Sequence, residues 1–299
     1  DLDSSLVGSE MCIRDSVRYG TSIDQVSMGR SPLDPRRLIP QSRATQGSLN
    51  AAPYVGDVVI SELAYRPGDL DGIGTGQPAK SFEFVELTNR SHREIDISGW
   101  RIAGDVELKI PRGTRLASGQ SVIAVSFLPN RTTQATPFRE AYNLDSSIKL
   151  IGPFLGLLGN RSGVIRLELP VDPPEDQSYL EPFAIVDEVQ FGTRHPWPIP
   201  SPEQNETLQR HTSGMLGSRA ETWKSASPTP GTHELPIRSI GDANEDGVFN
   251  SQDLLQIMKS GKYAAAVSAT FAEGDWNGDG VVDLQDLLDA LAEGRYVGS

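Results

Sequence analysis

The chain has 299 residues, and its 40 Asp and Glu residues outnumber 27 Lys and Arg residues to give a formal net charge of −13. This acidic balance disfavours binding to the phosphate backbone of nucleic acids, and no stretch approaches the ~20 apolar residues of a bilayer-spanning helix. The single cysteine, Cys12, excludes an internal disulfide framework. The 29 Gly and 21 Pro residues favour many short strands joined by turns.

The N-terminal residues are treated apart from the fold. Residues 6–16 (LVGSEMCIRDS) resemble one reading frame of a transposon-end adapter used in sequencing libraries. This resemblance implies that residues 1–16 are an adapter artefact, that Cys12 is not native, and that any signal peptide lay upstream. The alternative is a native, irregular N-terminus.

The middle of the chain contains short segments rich in β-branched and aromatic residues, each bounded by turn-forming residues. The clearest predicted strands are residues 58–65, 82–89, 121–127 and 164–169. Shorter candidates are residues 94–97, 100–103, 107–110, 148–151 and 185–191. This spacing, without a long helical pattern, predicts a β-sandwich in which Trp100 packs between the sheets.

A series of motifs follows through this region. They are VVISELAY at residues 58–65, FEFVELTN at 82–89, IDISGWRIA at 95–103, VDEVQFG at 186–192 and TLQR at 207–210. Their order over residues 56–232 resembles a bacterial lamin-tail domain. The resemblance implies an immunoglobulin-like sandwich that serves as a binding or structural module of exported proteins and carries no catalytic residues.

Residues 17–50 repeat the end of that region in weaker form. VRYG at 17–20 echoes VQFG at 189–192, SMGR at 27–30 corresponds to TLQR, and ATQGSLN at 44–50 corresponds loosely to SPTPGTH at 227–233. These matches predict that residues 17–50 are the truncated end of a preceding lamin-tail-like repeat. An ordinary N-terminal extension is the alternative. Residues 233–240 are interpreted as a linker.

Two acidic twelve-residue loops, beginning at Asp242 and Asp275, occur in tandem near the C-terminus. Each offers oxygen ligands at the spacing that surrounds one calcium ion, with Gly247 or Gly280 where such a loop must turn sharply. The ligands predicted for two Ca²⁺ ions are Asp242, Asn244, Asp246, Val248, Asn250, Asp253, Asp275, Asn277, Asp279, Val281, Asp283 and Asp286. The two valines would contribute their backbone carbonyls.

Each loop is followed by an apolar helical pattern rather than by further charge. The apolar positions predicted to form the core are Leu254, Leu255, Ile257 and Met258 after the first loop, and Leu284, Leu287, Leu288 and Leu291 after the second. The alternative for Leu284 is an exposed position at the start of its helix, matching Ser251 in the first unit. Two loop–helix units with Asp at the twelfth position resemble a type I dockerin module over residues 241–296. The resemblance implies a small α-helical module that binds two calcium ions and docks onto cohesin domains of scaffold or cell-surface proteins.

Catalytic motifs do not emerge from the sequence. The four histidines lack zinc-binding spacing, and Glu83 and Glu86 are predicted to point to opposite faces of a strand rather than to form a catalytic pair. The sequence therefore predicts a non-catalytic C-terminal region of a secreted or cell-surface bacterial protein. The alternative is the accessory region of a secreted hydrolase whose catalytic domain lies upstream. A third interpretation gives the sandwich a carbohydrate or cell-surface ligand.

Overall fold

The computed structural model describes residues 21–23, 26–31, 34–47, 49–68, 78–172, 182–212, 214–232, 235–277, 279–293 and 296–298. The adapter-like residues 1–16 and the VRYG motif at 17–20 lie outside these residues. None of the helices within the described ranges has both the length and the apolar character needed to cross a membrane.

Short strands dominate the described chain. The strands are β1 (Met28–Arg30), β2 (Leu38–Pro40), β3 (Val58–Ala64), β4 (Phe84–Asn89), β5 (Ile95–Asp96), β6 (Arg101–Gly104), β7 (Val106–Lys109), β8 (Arg115–Leu116), β9 (Ser121–Val125), β10 (Lys149–Ile151), β11 (Leu155–Gly156), β12 (Ser162–Pro170), β13 (Phe183–Gly192), β14 (Thr207–Arg210) and β15 (Trp223–Ala226). The α-helices are α1 (Thr132–Ala141), α2 (Ser251–Ser260) and α3 (Leu284–Ala292). Short 3₁₀ turns lie at Ala79–Phe82, Ala220–Thr222 and Phe271–Glu273.

Two sheets form the body of the protein. One has six strands in the order β10-β9-β4-β3-β14-β15, and the other has five in the order β11-β7-β6-β12-β13. Neighbouring strands in both sheets are antiparallel except β10 and β9, which are parallel. The four strands predicted most clearly correspond to β3, β4, β9 and β12. The mainly β fold predicted from the sequence is therefore confirmed.

The main apolar core draws on both sheets. Residues from the six-stranded sheet include Val58, Ile60, Leu63, Val85, Leu87, Val122, Leu208 and Trp223, and residues from the five-stranded sheet include Ile102, Val106, Ile165, Leu167, Val189 and Phe191. Full burial of one such side chain contributes about 1.5–3 kcal/mol to the free energy of folding. Trp100, predicted to lie between the sheets, packs against this core but is only partly buried.

Helix α1 packs against the six-stranded sheet. The rings of Phe138 and Tyr142, four residues apart, contact the ring of Phe84 with centroid distances of 6.1 and 5.1 Å. The Tyr142 hydroxyl donates a hydrogen bond to the carbonyl of Phe82 at 2.6 Å. The sequence does not predict this helix, because its threonines and Pro137 have low helix propensity. Packing of its aromatic face outweighs that local preference.

A buried ion pair joins the two sheets. Nη1 of Arg210, on β14, donates to Oδ2 of Asp187, on β13, at 2.6 Å. The same Asp187 oxygen accepts from the backbone N–H of Ile60, on β3, at 2.9 Å. Nη2 of Arg210 donates to the carbonyl of Met215 at 2.6 Å. Because β13 belongs to one sheet and β14 and β3 to the other, the two bonds to Asp187 cross the interior of the sandwich.

The N-terminal hairpin of β1 and β2 has the same pairing pattern as the hairpin of β14 and β15. Arg30, the last residue of β1, pairs with Leu38, the first residue of β2. Arg210, the last residue of β14, pairs in the same way with Trp223, the first residue of β15. The SMGR and TLQR motifs thus each contribute the first strand of an antiparallel hairpin. The assignment of residues 17–50 to a preceding repeat stays a prediction.

The C-terminal unit, residues 240–293, has a small core of its own. Its buried apolar residues are Ile240, Ala243, Phe249, Ile257, Phe271, Trp276, Val282 and Ala290. Trp276 is fully buried, and its ring lies 5.4 Å from the ring of Phe249 in an edge-to-face arrangement.

The core faces predicted for helices α2 and α3 are partly wrong. Leu254 and Leu287 pack against the core of the C-terminal unit as expected. The predicted core residues that instead lie half exposed are Leu255 and Met258 on α2, and Leu288 and Leu291 on α3. Leu284 is also exposed, as its alternative interpretation expects. The reason is that each helix contacts the small core along a narrow stripe, which centres on Ile257 in α2 and on Leu287 and Ala290 in α3.

Candidate functional site

In the first loop, the carboxylates of two predicted ligands are oriented by backbone N–H groups. The carboxylate of Asp242 accepts from the N–H of Asp246 at 3.0 Å and from that of Gly247 at 2.8 Å. Oδ1 of Asp253 accepts from the N–H of Asn244 at 3.1 Å. These bonds fold the loop so that its first and last carboxylates are held by the segment between them.

The second loop repeats this pattern. Oδ2 of Asp275 accepts from the N–H of Gly280 at 3.1 Å, and Oδ1 of Asp286 accepts from the N–H of Asn277 at 3.0 Å. Gly247 and Gly280 both have φ of +92°, a left-handed conformation that glycine adopts without the steric cost of a side chain. Loop equivalence predicted from the sequence therefore extends to backbone conformation and hydrogen bonding.

The ninth residue of each loop caps the helix that follows it. Asn250 and Asp283 are the N-cap residues of α2 and α3. Oδ2 of Asp253 accepts from the N–H of Asn250 at 2.9 Å, and Oδ2 of Asp286 accepts from the N–H of Asp283 at 2.9 Å. This reciprocal capping satisfies N–H groups that a helix start leaves unpaired. Asp253 and Asp286 are fully buried. Each has one carboxylate oxygen that accepts from the loop and one that accepts from the N-cap residue, so each residue stabilises both the loop and the helix.

The oxygen chemistry of both loops fits a hard cation such as Ca²⁺. Carboxylates, amide oxygens and one backbone carbonyl are the ligand types that calcium prefers. Burial, together with the nearby carboxylates of Asp253 and Asp246, raises the pKa of Asp242 to about 6, although hydrogen bonds from the backbone N–H groups of Gly247 and Asp246 lower it. A bound cation would favour the charged form of these groups.

Across the described residues, no three His, Cys, Asp or Glu side chains are arranged as a preformed metal site. The predicted ligand sets mix carboxylates with amide and carbonyl oxygens, and their calcium binding stays a prediction.

A buried carboxylate pair in the sandwich was not predicted. Glu62 on β3 lies directly opposite Glu86 on β4, and both side chains are fully buried. Glu62 accepts from the hydroxyl of Thr207 at 2.6 Å and from the N–H of Thr229 at 3.1 Å. Glu86 accepts from the hydroxyl of Ser61 at 2.6 Å and from the N–H of Gly231. The pair thus fastens the segment after β15 onto the sheet.

A glutamate in the middle of each of two otherwise apolar strands was the signal for this pair. Burial raises the pKa of Glu62 to about 7 and that of Glu86 to about 8, and the charge of Glu62 contributes to the shift at Glu86. Neither Glu62 nor Glu86 lines any of the five main clefts on the described part of the protein. The pair is therefore interpreted as structural.

We expect the free energy of unfolding to decrease between about pH 5 and pH 8. The folded state holds more protons than the unfolded state in this range, because the folded pKa values of Glu62 and Glu86 are raised. Urea unfolding of Glu86→Gln should show a smaller decrease than the wild type. Glu221→Gln, at an exposed position, serves as the control. Parallel pH profiles for wild type and Glu86→Gln would contradict this interpretation.

A cleft of about 580 Å³ lies between the N-terminal hairpin and strands β12 and β13. Met28 and Leu38 line it from the hairpin, and Arg166, Glu168 and Phe183 line it from the sheet. Nε of Arg166 donates to Oε1 of Glu168 at 3.0 Å. The Arg101 guanidinium covers one face of the Phe183 ring, 3.9 Å from its centroid, so a small polar ligand could stack only on the opposite face.

One segment of the chain matches the sequence model of a known protein family. Residues 51–151 match the family model "Lamin Tail Domain", which confirms the lamin-tail resemblance for that part of the chain. No curated protein matches the chain significantly. Among solved structures, a DUF4876 family protein from Bacteroides thetaiotaomicron VPI-5482 is similar at 12% sequence identity and a TM-score of 0.33, over 66% of this chain and 79% of that one.

Proposed function

We propose that the chain is the non-catalytic region of an exported bacterial protein, in which a lamin-tail sandwich carries a calcium-dependent, dockerin-like docking module. The observation that carries this proposal is the paired loop–helix repeat. Both loops have the same hydrogen-bonding pattern, the same left-handed glycine and a helix that starts at the same position. The lamin-tail match over residues 51–151 supports the binding or spacer role of the sandwich.

Calcium would be held by the two oxygen sets predicted from the sequence. In the first loop the ion would lie among the carboxylates of Asp242, Asp246 and Asp253, and in the second loop among those of Asp275, Asp279, Asp283 and Asp286. Two Ca²⁺ ions bring four positive charges to these seven carboxylates, which offsets much of a repulsion that the small core of the unit must otherwise overcome. The ion therefore has a structural rather than a chemical role.

The docking surface is assigned to the leucines of α3. Leu284, Leu288 and Leu291 are 59%, 50% and 53% exposed and recur along one side of the helix. On α2, Leu255 lies at the edge of a cleft that residue Arg43 also lines, so the N-terminal segment lies close to that face. An exposed apolar stripe with a polar surround is typical of protein-binding surfaces. A cohesin-like domain is the partner that the dockerin resemblance implies.

We expect Leu284→Asp to weaken binding to a cohesin-type domain by about thirtyfold or more, equivalent to about 2 kcal/mol, because it places a charge in the apolar contact. Ser251→Asp, at the matching position of α2, should bind like the wild type. Biolayer interferometry against a panel of cohesin domains, in calcium and in chelator, measures both. Chelator should abolish the binding of every variant.

Glu293→Gln is the control, because it changes an exposed residue beyond the leucine stripe. Both variants must still bind calcium for the comparison to hold. Equal, unimpaired binding by Leu284→Asp and Ser251→Asp would show that the partner contacts another surface. Binding by no cohesin domain in the panel would argue against the dockerin-like role.

Two broader roles are compatible with this proposal. The chain would serve as the accessory region of a secreted hydrolase if a catalytic domain lies upstream. The cleft between the hairpin and β12–β13 would be the place for a carbohydrate or cell-surface ligand of the sandwich, because it offers Phe183 beside Arg166 and Glu168. A glycan array probed with wild type and Phe183→Ala would test the second role.

A further inference from the structure

The C-terminal unit contacts the sandwich through a buried cluster of charges. Nη2 of Arg90, which immediately follows β4, donates to Oε2 of Glu245 at 2.6 Å, and the Arg90 side chain is only 1% exposed. Nη1 of Arg238 lies 3.4 Å from Oε1 of the same glutamate, and its Nη2 pairs with Asp57. The Arg238 guanidinium also lies 3.7 Å above the ring of Phe271. One carboxylate of the C-terminal unit thus contacts two buried arginines, and Asp57 supplies a second carboxylate to Arg238.

Glu245 is the fourth residue of the first calcium loop, between the predicted ligands Asn244 and Asp246. Its φ of +56° is left-handed, a conformation that is unfavourable for residues with a side chain. The second loop has a glycine, Gly278, at the equivalent position in the sequence. The first loop therefore accepts an unfavourable backbone conformation at the residue that reaches the arginines of the sandwich.

Backbone hydrogen bonds hold the linker, residues 233–240, at Arg238 beside the same charge cluster. The N–H of Arg238 donates to the carbonyl of Arg90 at 2.8 Å, and the N–H of Arg90 donates to the carbonyl of Asp57. The Thr270 hydroxyl of the unit also donates to the carbonyl of Ser42, in the N-terminal segment, at 2.5 Å. The C-terminal unit is thus held against the sandwich rather than extended from it.

We propose that the first loop is also the intramolecular contact that docks the C-terminal unit onto the sandwich, and that calcium binding at this loop and docking are coupled through Glu245. This inference rests on the proposed calcium function. Ligation of the ion by Asn244 and Asp246 fixes the backbone of the residue between them, which places the Glu245 carboxylate against Arg90 and Arg238. Coupling is reciprocal, so docking must in turn strengthen calcium binding at this loop.

Arg238→Gln in the full-length chain separates coupling from simple electrostatics. Removing a positive charge beside an acidic loop should tighten calcium binding if only the electrostatic field matters. The coupling predicts the opposite result, in which Arg238→Gln weakens calcium binding at the first loop by about fivefold or more. Isothermal titration in an Asp279→Ala background, which removes the second site, measures the first loop alone.

Arg93→Gln is the matched control. It removes the same charge from the same side of the sandwich, and Arg93 pairs with Asp57 at 3.3 Å rather than with Glu245. It should leave the calcium affinity unchanged or slightly higher. Unchanged or tighter binding by Arg238→Gln would overturn the coupling while leaving the calcium function intact. A wild-type chain that binds no calcium would overturn both.

Glu245→Gly provides a second variant that leaves the sandwich side unaltered and matches the glycine of the second loop. With calcium bound, it should show a larger radius of gyration by small-angle scattering than the wild type, because the unit is no longer held by Arg90 and Arg238. Faster hydrogen exchange at the Arg238 amide should accompany this change. An unchanged radius together with unchanged exchange would overturn the docking role of Glu245.

Discussion

Replacing Asp187 by alanine is expected to lower the free energy of unfolding of the sandwich by about 3–5 kcal/mol, because it leaves a buried charge without its partner. Arg210 is fully buried, and its shortest carboxylate contact is the 2.6 Å bond to Asp187. The substitution also removes the acceptor of the Ile60 N–H. Denaturant unfolding followed by far-ultraviolet circular dichroism measures the effect.

Asp96→Ala is the control for this experiment. Asp96 pairs with Arg115 at 3.2 Å, but both side chains are well exposed, and such pairs contribute about 0–1 kcal/mol. The double substitution Asp187→Leu with Arg210→Met should cost less than Asp187→Ala, because no unpaired charge stays buried. A loss below 1 kcal/mol for Asp187→Ala would contradict the importance given to this ion pair.

Calcium is expected to change hydrogen exchange in the C-terminal unit far more than in the sandwich. In chelator the loop carboxylates repel one another, and the core around Trp276 and Phe249 is small, so α2 and α3 should exchange quickly. At free calcium 100 times the dissociation constant, each site should stabilise the folded unit by about 2.7 kcal/mol, which slows exchange about 100-fold. Exchange measured by mass spectrometry resolves the two regions.

Strands β3, β4 and β9 serve as the internal control, because their protection comes from the core of the sandwich. The double variant Asp246→Ala with Asp279→Ala should show no calcium response in α2 and α3. Protection of these helices that is the same in chelator and in calcium would show that metal is not required for the fold of the unit.

Local sequence patterns were sufficient for the longest strands and for the two loops, but they did not predict strands at β14 and β15. Strands such as β3 and β9 are continuous runs of β-branched and apolar residues between turn formers, so their type was predictable from composition and length. Both loop–helix junctions follow a fixed spacing in which Asn250 and Asp283 cap the helices. These features depend on neighbours within about twelve residues.

Features that depend on distant parts of the chain were not predictable. Helix α1 forms because Phe138 meets Phe84 on the sheet, which local propensity cannot indicate. The exposed leucines of α3 have the same spacing as a core stripe, and only the size of the available core decides which face is buried. The contact of Glu245 with Arg90 joins residues 155 positions apart. The one local sign of it was a glutamate where the second loop has glycine.

Counting the calcium ions bound by the full-length chain tests the central claim most directly. Isothermal titration should give two ions for the wild type, one for Asp246→Ala and one for Asp279→Ala, because each substitution removes a ligand from one loop only. Asp289→Ala, which changes a carboxylate outside both loops, should still bind two. No calcium binding by the wild type, or two ions still bound by both loop variants, would contradict the account.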